Sequence, residues 1–242
     1  MTDASPGSLA FLLVAGLVAG VVNAVAGGGS LMVFPSLLAV GLPPLTANVT
    51  NSIAQWPSYL GIILGSHRDL HGQRRRILYT SAVAVVGASI GCTLLLVLPT
   101  AVFDAVVPVL VLLASGLFAL EPLIRRWTTP TADAPDRLLT LLPSVFLAAV
   151  YGGYFGGALG VVLLATLSLC AHDSLARLNA LKGLLSLVVA TVTVVYFSIG
   201  APVDWLAVAL LAPTTLVGGY LGARVARRIP DAVLRWAVVV LG

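Results

Sequence analysis

Seven stretches of about 20 mostly apolar residues decide what this chain can fold into. They are Ser8–Ala26, Leu45–Gly65, Ile77–Leu98, Ala101–Leu120, Leu138–Ala158, Leu175–Ile199 and Val203–Ala223. A bilayer core about 30 Å thick is crossed by about 20 residues of α-helix, so each stretch is long enough to span it. Ser30–Val40 and Leu159–Ala171 are equally apolar but too short to cross comfortably. Charged residues make up only 9% of the chain, against about 25% in a soluble domain. The alternation of a membrane β-barrel is absent. The sequence therefore predicts an all-α, polytopic membrane protein with about 7–10 membrane segments.

The flank before the first segment, MTDASPGS, has no Lys or Arg, so that segment reads as a retained helix and not as a signal peptide. The net charge is +4, but the arginines sit in loops, where membrane topology explains them; no nucleic-acid partner is expected. Cys92 and Cys170 lie in separate apolar segments and read as packing residues, with neither a disulfide nor a metal site expected. No cofactor motif, Walker loop, CxxC or HExxH is present, and no cofactor is expected.

The chain repeats itself. An offset of 131 positions, without a gap, sets Gly29 on Gly160, Asn48 on Asn179, Gly87 and Gly91 on Gly218 and Gly222, and Pro99 on Pro230. Charge fixes how the copies relate. SHRDLHGQRRR, Ser66–Arg76, carries Arg68, Arg74, Arg75 and Arg76, whereas its counterpart FSIGAPVDWLA has no Lys or Arg. TLLLVLP, Thr93–Pro99, is uncharged, whereas its counterpart RVARRIP carries Arg224, Arg227 and Arg228. Because basic loops stay on the cytoplasmic side, equivalent loops lie on opposite faces. This predicts two inverted-topology repeats, residues 1–121 and 138–242, joined by a cytoplasmic linker over 122–137. The expected address is a bacterial inner membrane, with the amino terminus outside and the Ser66–Arg76 and Arg224–Arg228 loops cytoplasmic. The last segment, Asp231–Gly242, is too short for a full crossing.

Polar residues inside such segments are costly and must face the protein interior or a water-filled cavity. Asn48, Asn51 and Gln55 share one helix face by their spacing, flanked by Thr46, Thr50 and Ser52; the equivalent positions are Asn179, Lys182 and Ser186. Helix–helix hydrogen bonding could explain either stripe alone. Two stripes at matching positions of inverted halves point to a shared substrate path. Lys182 is the only lysine and lies eight residues into its segment; it is either a countercharge or snorkels to the interface. All nine acidic residues sit in loops or near segment ends, which suits an anion better than a cation. NAVAGGGSLMVFP, Asn23–Pro35, breaks a helix at Gly27, Gly28 and Gly29 and starts another at Ser30. YGGYFGGALG, with Gly156, Gly157 and Gly160, is its counterpart. Such breaks free backbone N–H groups at a positive helix end, where anions bind. Close packing is the competing reason for Gly87, Gly91, Gly152 and Gly153.

Gly16–Leu70 closely resembles the first half of the sulfite exporter TauE/SafE family: a Gly-rich break at Gly27–Ser30, an apolar run with Pro35, a loop at Gly41–Pro44, then Ala47–Ser52. Tyr151–Gly222 resembles the second half, with a poorer Gly-rich motif at Ala158–Leu159–Gly160 and Lys182 where a small polar residue is commoner. The resemblance implies an inner-membrane permease for small anions, typically sulfite or organosulfonates.

The expected function is thus a secondary transporter, not an enzyme, that rocks about a midplane site. The site residues are Asn23, Gly27, Gly28, Gly29, Ser30, Asn48, Asn51, Gln55, Gly156, Gly157, Gly160, Asn179, Lys182 and Ser186. The expected partners are a small anion and lipid, with a homodimer left open. Two alternatives stand beside it: an intramembrane enzyme with Ser30 as nucleophile, and a non-transporting membrane subunit.

Overall fold

The computed structural model describes residues 5–127, 138–171 and 173–226. They form nine α-helices: α1 Pro6–Val25, α2 Ser30–Ala39, α3 Pro44–Ser66, α4 Arg74–Val97, α5 Thr100–Trp127, α6 Leu138–Tyr154, α7 Leu159–Cys170, α8 Leu175–Gly200 and α9 Trp205–Ala226. A short 3₁₀ turn, His67–Leu70, links α3 to α4. Prolines mark several starts: Pro6 and Pro44 stand in the first turns of α1 and α3, where a missing N–H costs nothing. Four of the described helices, α1, α4, α8 and α9, are each long and apolar enough to cross a bilayer. α3 is 23 residues long but carries the polar stripe along it.

Two expected segments end differently. Leu138–Ala158 stops as a helix at Tyr154, because Gly156 and Ala158 take positive φ, which right-handed helix excludes. Ala101–Leu120 continues as α5 to Trp127, through residues such as Leu123 and Arg125 that favour helix. The rest of the expected linker, and the final segment Asp231–Gly242, lie outside the described residues.

The surface is apolar, and the largely apolar interior also encloses a set of polar side chains. Val14, Leu64, Leu78, Val97, Leu112, Leu147 and Ile199 are all more than half exposed. Asn23, Asn48, Asn51, Gln55 and Lys182 are each 1% exposed. Only a lipid solvent accepts that distribution. The protein is an all-α, multi-pass membrane protein.

Helix directions follow from which residues meet. Gly16 of α1 meets Leu211 and Thr214 of α9, and Val21 and Ala24 meet Gly222, so α1 and α9 run in parallel. Ser58 meets Gly219 and Gly65 meets Ala223, so α3 runs with them. α8 runs against α3: Ile62 packs on Gly183, Trp56 Nε1 donates to Thr191 Oγ1 at 2.9 Å, and the Asp204 N–H donates to Thr50 Oγ1 at 3.0 Å. α4 is parallel to α8, with Arg76 beside Asp173 at one end and Leu96 beside Gly200 at the other. α6 is parallel to α4, Phe146 meeting Gly87 and Tyr154 meeting Gly91. Thus α1, α3 and α9 point one way and α6, α8 and α4 the other. The 131-residue offset carries the starts of α3 and α4 onto those of α8 and α9, so the matched helices run in opposite directions.

The matched glycines do matched work. A methyl on Gly91 would stand 2.8 Å from the Tyr154 N of α6, and one on its match Gly222 would stand 2.8 Å from Val21 Cα of α1. Real side chains do not approach so closely, so these glycines let the main chains of α4 and α6, and of α9 and α1, touch. Each half thereby packs one of its helices against the broken helix of the other.

Candidate functional site

Two helix breaks meet in the interior. In the first, α1 closes with the Gly27 N–H on the Val22 carbonyl, and bonding resumes with the Leu31 N–H on the Gly28 carbonyl. In the second, the Gly156 N–H bonds the Tyr151 carbonyl, and bonding resumes with the Leu159 N–H on the Gly156 carbonyl. Gly27 (φ 85°) and Gly156 (φ 71°) hold the same place in the two breaks, a conformation that glycine adopts without a Cβ clash. They stand 129 positions apart, which corrects the gapless pairing of Gly29 with Gly160. The second copy has twelve residues in α7 where α2 has ten, and the extra two restore the offset before α8. Gly29 therefore packs inside its own hairpin, against the Ala19 carbonyl and Asn23 Cβ. Gly160 packs on the other break: a methyl on it would stand 2.5 Å from Gly27 Cα.

The polar stripes brace these breaks crosswise. Asn48 of α3 donates from Nδ2 to the Tyr154 carbonyl, 3.1 Å away in the last turn of α6. Asn179 of α8 donates to the Ala24 carbonyl at 3.4 Å, in the last turn of α1. Lys182 Nζ donates to the Asn23 carbonyl at 3.4 Å, one residue earlier. The last carbonyls of a helix lack intrahelical partners and carry its negative end, so amide donors and a cation are favoured there. Lys182 is thus buried beside the end of α1 and does not snorkel to the interface.

Between the breaks lies a cavity of about 20 Å³, lined by Ser30, Ser52, Gln55, Tyr59, Gly152, Gly156, Leu159, Val189, Ala190 and Thr193. That volume holds about one water molecule. Ser30 is the first residue of α2 and Leu159 the first of α7, so the starts of both short helices face it. Its polar lining is hydroxyls and one amide, with no carboxylate. Behind it, Asn23 Nδ2 reaches Gln55 Oε1 at 3.5 Å and Ser58 Oγ at 3.4 Å, and the Tyr59 hydroxyl lies against Asn23 and Ser30.

Several buried polar atoms here have no protein partner: Asn23 Oδ1, Asn48 Oδ1, Asn51 Oδ1, Asn179 Oδ1, Gln55 Nε2 and Ser186 Oγ. Each costs roughly 1–3 kcal/mol unless something else bonds it. Gln55 Nε2 is the unpartnered donor on a residue of the cavity lining.

Of the expected site residues, Ser30, Gln55 and Gly156 line the cavity and Asn23 bonds Gln55. Asn48, Asn179 and Lys182 brace the helix ends instead. Gly157 accepts a hydrogen bond from the Tyr151 hydroxyl. Asn51 and Ser186 are buried but outside the lining, as are Gly27, Gly28, Gly29 and Gly160. Sequence reasoning passed over Tyr59, Ser58 and Thr193. Tyr59 continues the Asn51–Gln55 stripe one more turn, and Thr193 extends Ser186 by two turns, so helical spacing carried the signal. His67 opens the 3₁₀ turn beyond the far end of α3 and His71 follows it; neither is in the lining that contains Ser30.

The family profile described as "Sulfite exporter TauE/SafE" matches residues 12–242. Among curated proteins, the chain is 28% identical to a "Probable membrane transporter protein" of Haemophilus influenzae, over 96% of this chain and 91% of that protein. It is 30% identical to "Probable membrane transporter protein ORF9" of Sinorhizobium sp, over 66% of this chain and 60% of that protein. It is 28% identical to "Probable membrane transporter protein YfcA" of Escherichia coli, over 93% of this chain and 81% of that protein. No solved structure matches the chain significantly. The chain belongs to the TauE/SafE family.

Proposed function

We propose that this member of the TauE/SafE family is a secondary transporter of small oxyanions, with sulfite and organosulfonates as the substrate class. The observation that carries the reading is the cavity between the starts of α2 and α7, with the unpartnered Gln55 Nε2 on a lining residue and no carboxylate there. Two positive helix ends, hydroxyl groups and an amide donate to oxyanion oxygens, and the hydroxyls also accept from a protonated one. The family description and the transporter names of the relatives support the same reading.

The cavity is far smaller than a substrate with several heavy atoms, so its walls must part for a substrate to bind and open to either face in turn. The opposed directions of the matched helices supply two halves able to rock about the Gly27–Gly160 contact. Lys182 acts through Asn23: it holds the end of α1, and Asn23 in turn orients Gln55. The basic segment around Arg74–Arg76 and Arg224 lies on the cytoplasmic face of an inner membrane, with the amino terminus outside.

The test is flux through the purified protein in proteoliposomes, with sulfite, a sulfonate, sulfate, a monocarboxylate and Na⁺ offered separately. Saturable sulfite or sulfonate flux, lost in Gln55→Leu, is expected. Flux of Na⁺ alone, or none for any oxyanion, would overturn the reading.

A further inference from the structure

A second basic feature stands away from the central cavity. Where α4 and α8 begin, a groove of about 430 Å³ is lined by Gly72, Gln73, Arg74, Arg75, Arg76, Asp173 and Arg177. Four arginines face one carboxylate, so the lining carries an excess of positive charge. Asp173 is engaged already: Arg76 Nη1 holds Oδ2 at 2.9 Å and Arg177 Nε lies 2.8 Å from Oδ1. Burial works against its charge, but hydrogen bonds from Arg177, the Ser174 N–H and Arg76, with the Arg177 charge, outweigh burial and hold its carboxyl below the usual value. Among the described residues Arg74 and Arg75 have no carboxylate partner. The N-termini of α4 and α8 end in the same groove, with no side-chain cap on either. Gly72, at φ 80°, turns the chain so that its Cα side faces Arg177 Nη2. One turn along α4, Leu78 and Tyr79 are 66% and 53% exposed, which sets the groove at the level where lipid begins.

We propose that this groove is a binding site for a phosphate-class oxyanion, with Arg74 and Arg75 as its unpaired donors and the Asp173 pairs holding Arg76 and Arg177 in place. The guanidinium forks match terminal oxyanion oxygens, and the two helix starts add N–H groups of the same sign. Its position at the lipid boundary makes the phosphate of an anionic phospholipid one source of that group, and free inorganic phosphate is the other. The site is separate from the central cavity, with which it shares no lining residue.

The test uses the full chain purified in detergent. Retention of phosphatidylglycerol against phosphatidylcholine is read by native mass spectrometry. Binding of inorganic phosphate is read by thermal shift against chloride at equal ionic strength. Arg74→Gln/Arg75→Gln is compared with Arg68→Gln/Arg224→Gln, which removes the same charge outside the groove. Neither pair includes an arginine of the Asp173 ion pairs, so both variants should fold. The expected result is a loss of about tenfold or more in affinity for the groove pair and less than about twofold for the other. Selective retention of phosphatidylglycerol identifies the lipid as the source; a phosphate shift without lipid selectivity identifies the free ion. Equal loss in the two variants, or no binding of either probe by the wild-type chain, would overturn the proposal.

Discussion

Asn48 Nδ2 rests 3.1 Å from the main-chain carbonyl of Tyr154, 106 positions further along the chain. A residue of the first polar stripe thus closes the end of the broken helix in the opposite half, and Asn179 returns the arrangement on Ala24. Asn48→Leu should leave the Tyr154 carbonyl without its donor and cost about 1 kcal/mol of stability. Asn48→Asp should cost more, since a carboxylate cannot donate to a carbonyl. Thermal unfolding of the purified variants in detergent checks the order. Equal stability of all three proteins would show that the contact has no structural role.

Gly27 and Gly160 place one break directly on the other. Gly27→Ala must take positive φ with a side chain and also stand 2.5 Å from the Gly160 carbonyl carbon. The combined cost is about 2 kcal/mol or more, read as lost folded yield by size exclusion. Gly28→Ala has negative φ and should be milder. The same ranking is expected for flux per folded molecule if the contact serves as the proposed pivot.

Much of this was legible in the chain. α2 begins at Ser30, where three glycines end an apolar run, and α3 and α8 begin at positions 131 apart. Period and punctuation sufficed there because membrane helices must satisfy their own backbone. The division of labour within the stripe was not legible. Asn48, Gln55 and Lys182 look alike as buried polar residues, yet Gln55 faces the cavity while the other two close helix ends. That depends on which helix of the opposite half comes alongside, which spacing within one helix cannot tell. The two-residue shift between Gly27 and Gly156 was hidden for a similar reason, since α7 absorbs it without changing composition.

Lys182 and Gln55 should therefore separate kinetically. Gln55→Leu removes a donor at the cavity and should raise the KM for the transported anion about tenfold. Lys182→Met removes the cation at the end of α1, so lower stability and lower maximal flux are expected, with a KM change under about threefold. Lys182→Arg should restore part of the stability. If Lys182→Met raised KM more than Gln55→Leu did, the lysine would be a direct ligand.

Asp173 gives a pH dependence of known sign. Its carboxyl titrates lower in the folded protein than the usual value of about 3.9. A depressed carboxylate contributes stability that is present above that usual value and lost as pH falls through the lower folded one. Asp173→Asn should therefore be less stable than wild type at pH 7. The difference should shrink only below about pH 4. Melting curves from pH 3 to pH 8 test this; a difference that disappears between pH 5 and pH 7 would assign it to another group.

The most direct measurement is thiol accessibility at Ser30, which is 4% exposed and lines the cavity. Ser30→Cys is placed in a chain whose buried Cys92 and Cys170 are replaced by alanine. Proteoliposomes of defined orientation are then treated with a membrane-impermeant methanethiosulfonate from each face. Labelling from both faces, slowed by a sulfonate but not by Na⁺ salts of non-substrate anions, is the expected result; sulfite is left out because it consumes the thiosulfonate reagent. Labelling from one face only, or at a rate that the sulfonate does not change, would contradict an alternating-access oxyanion site between α2 and α7.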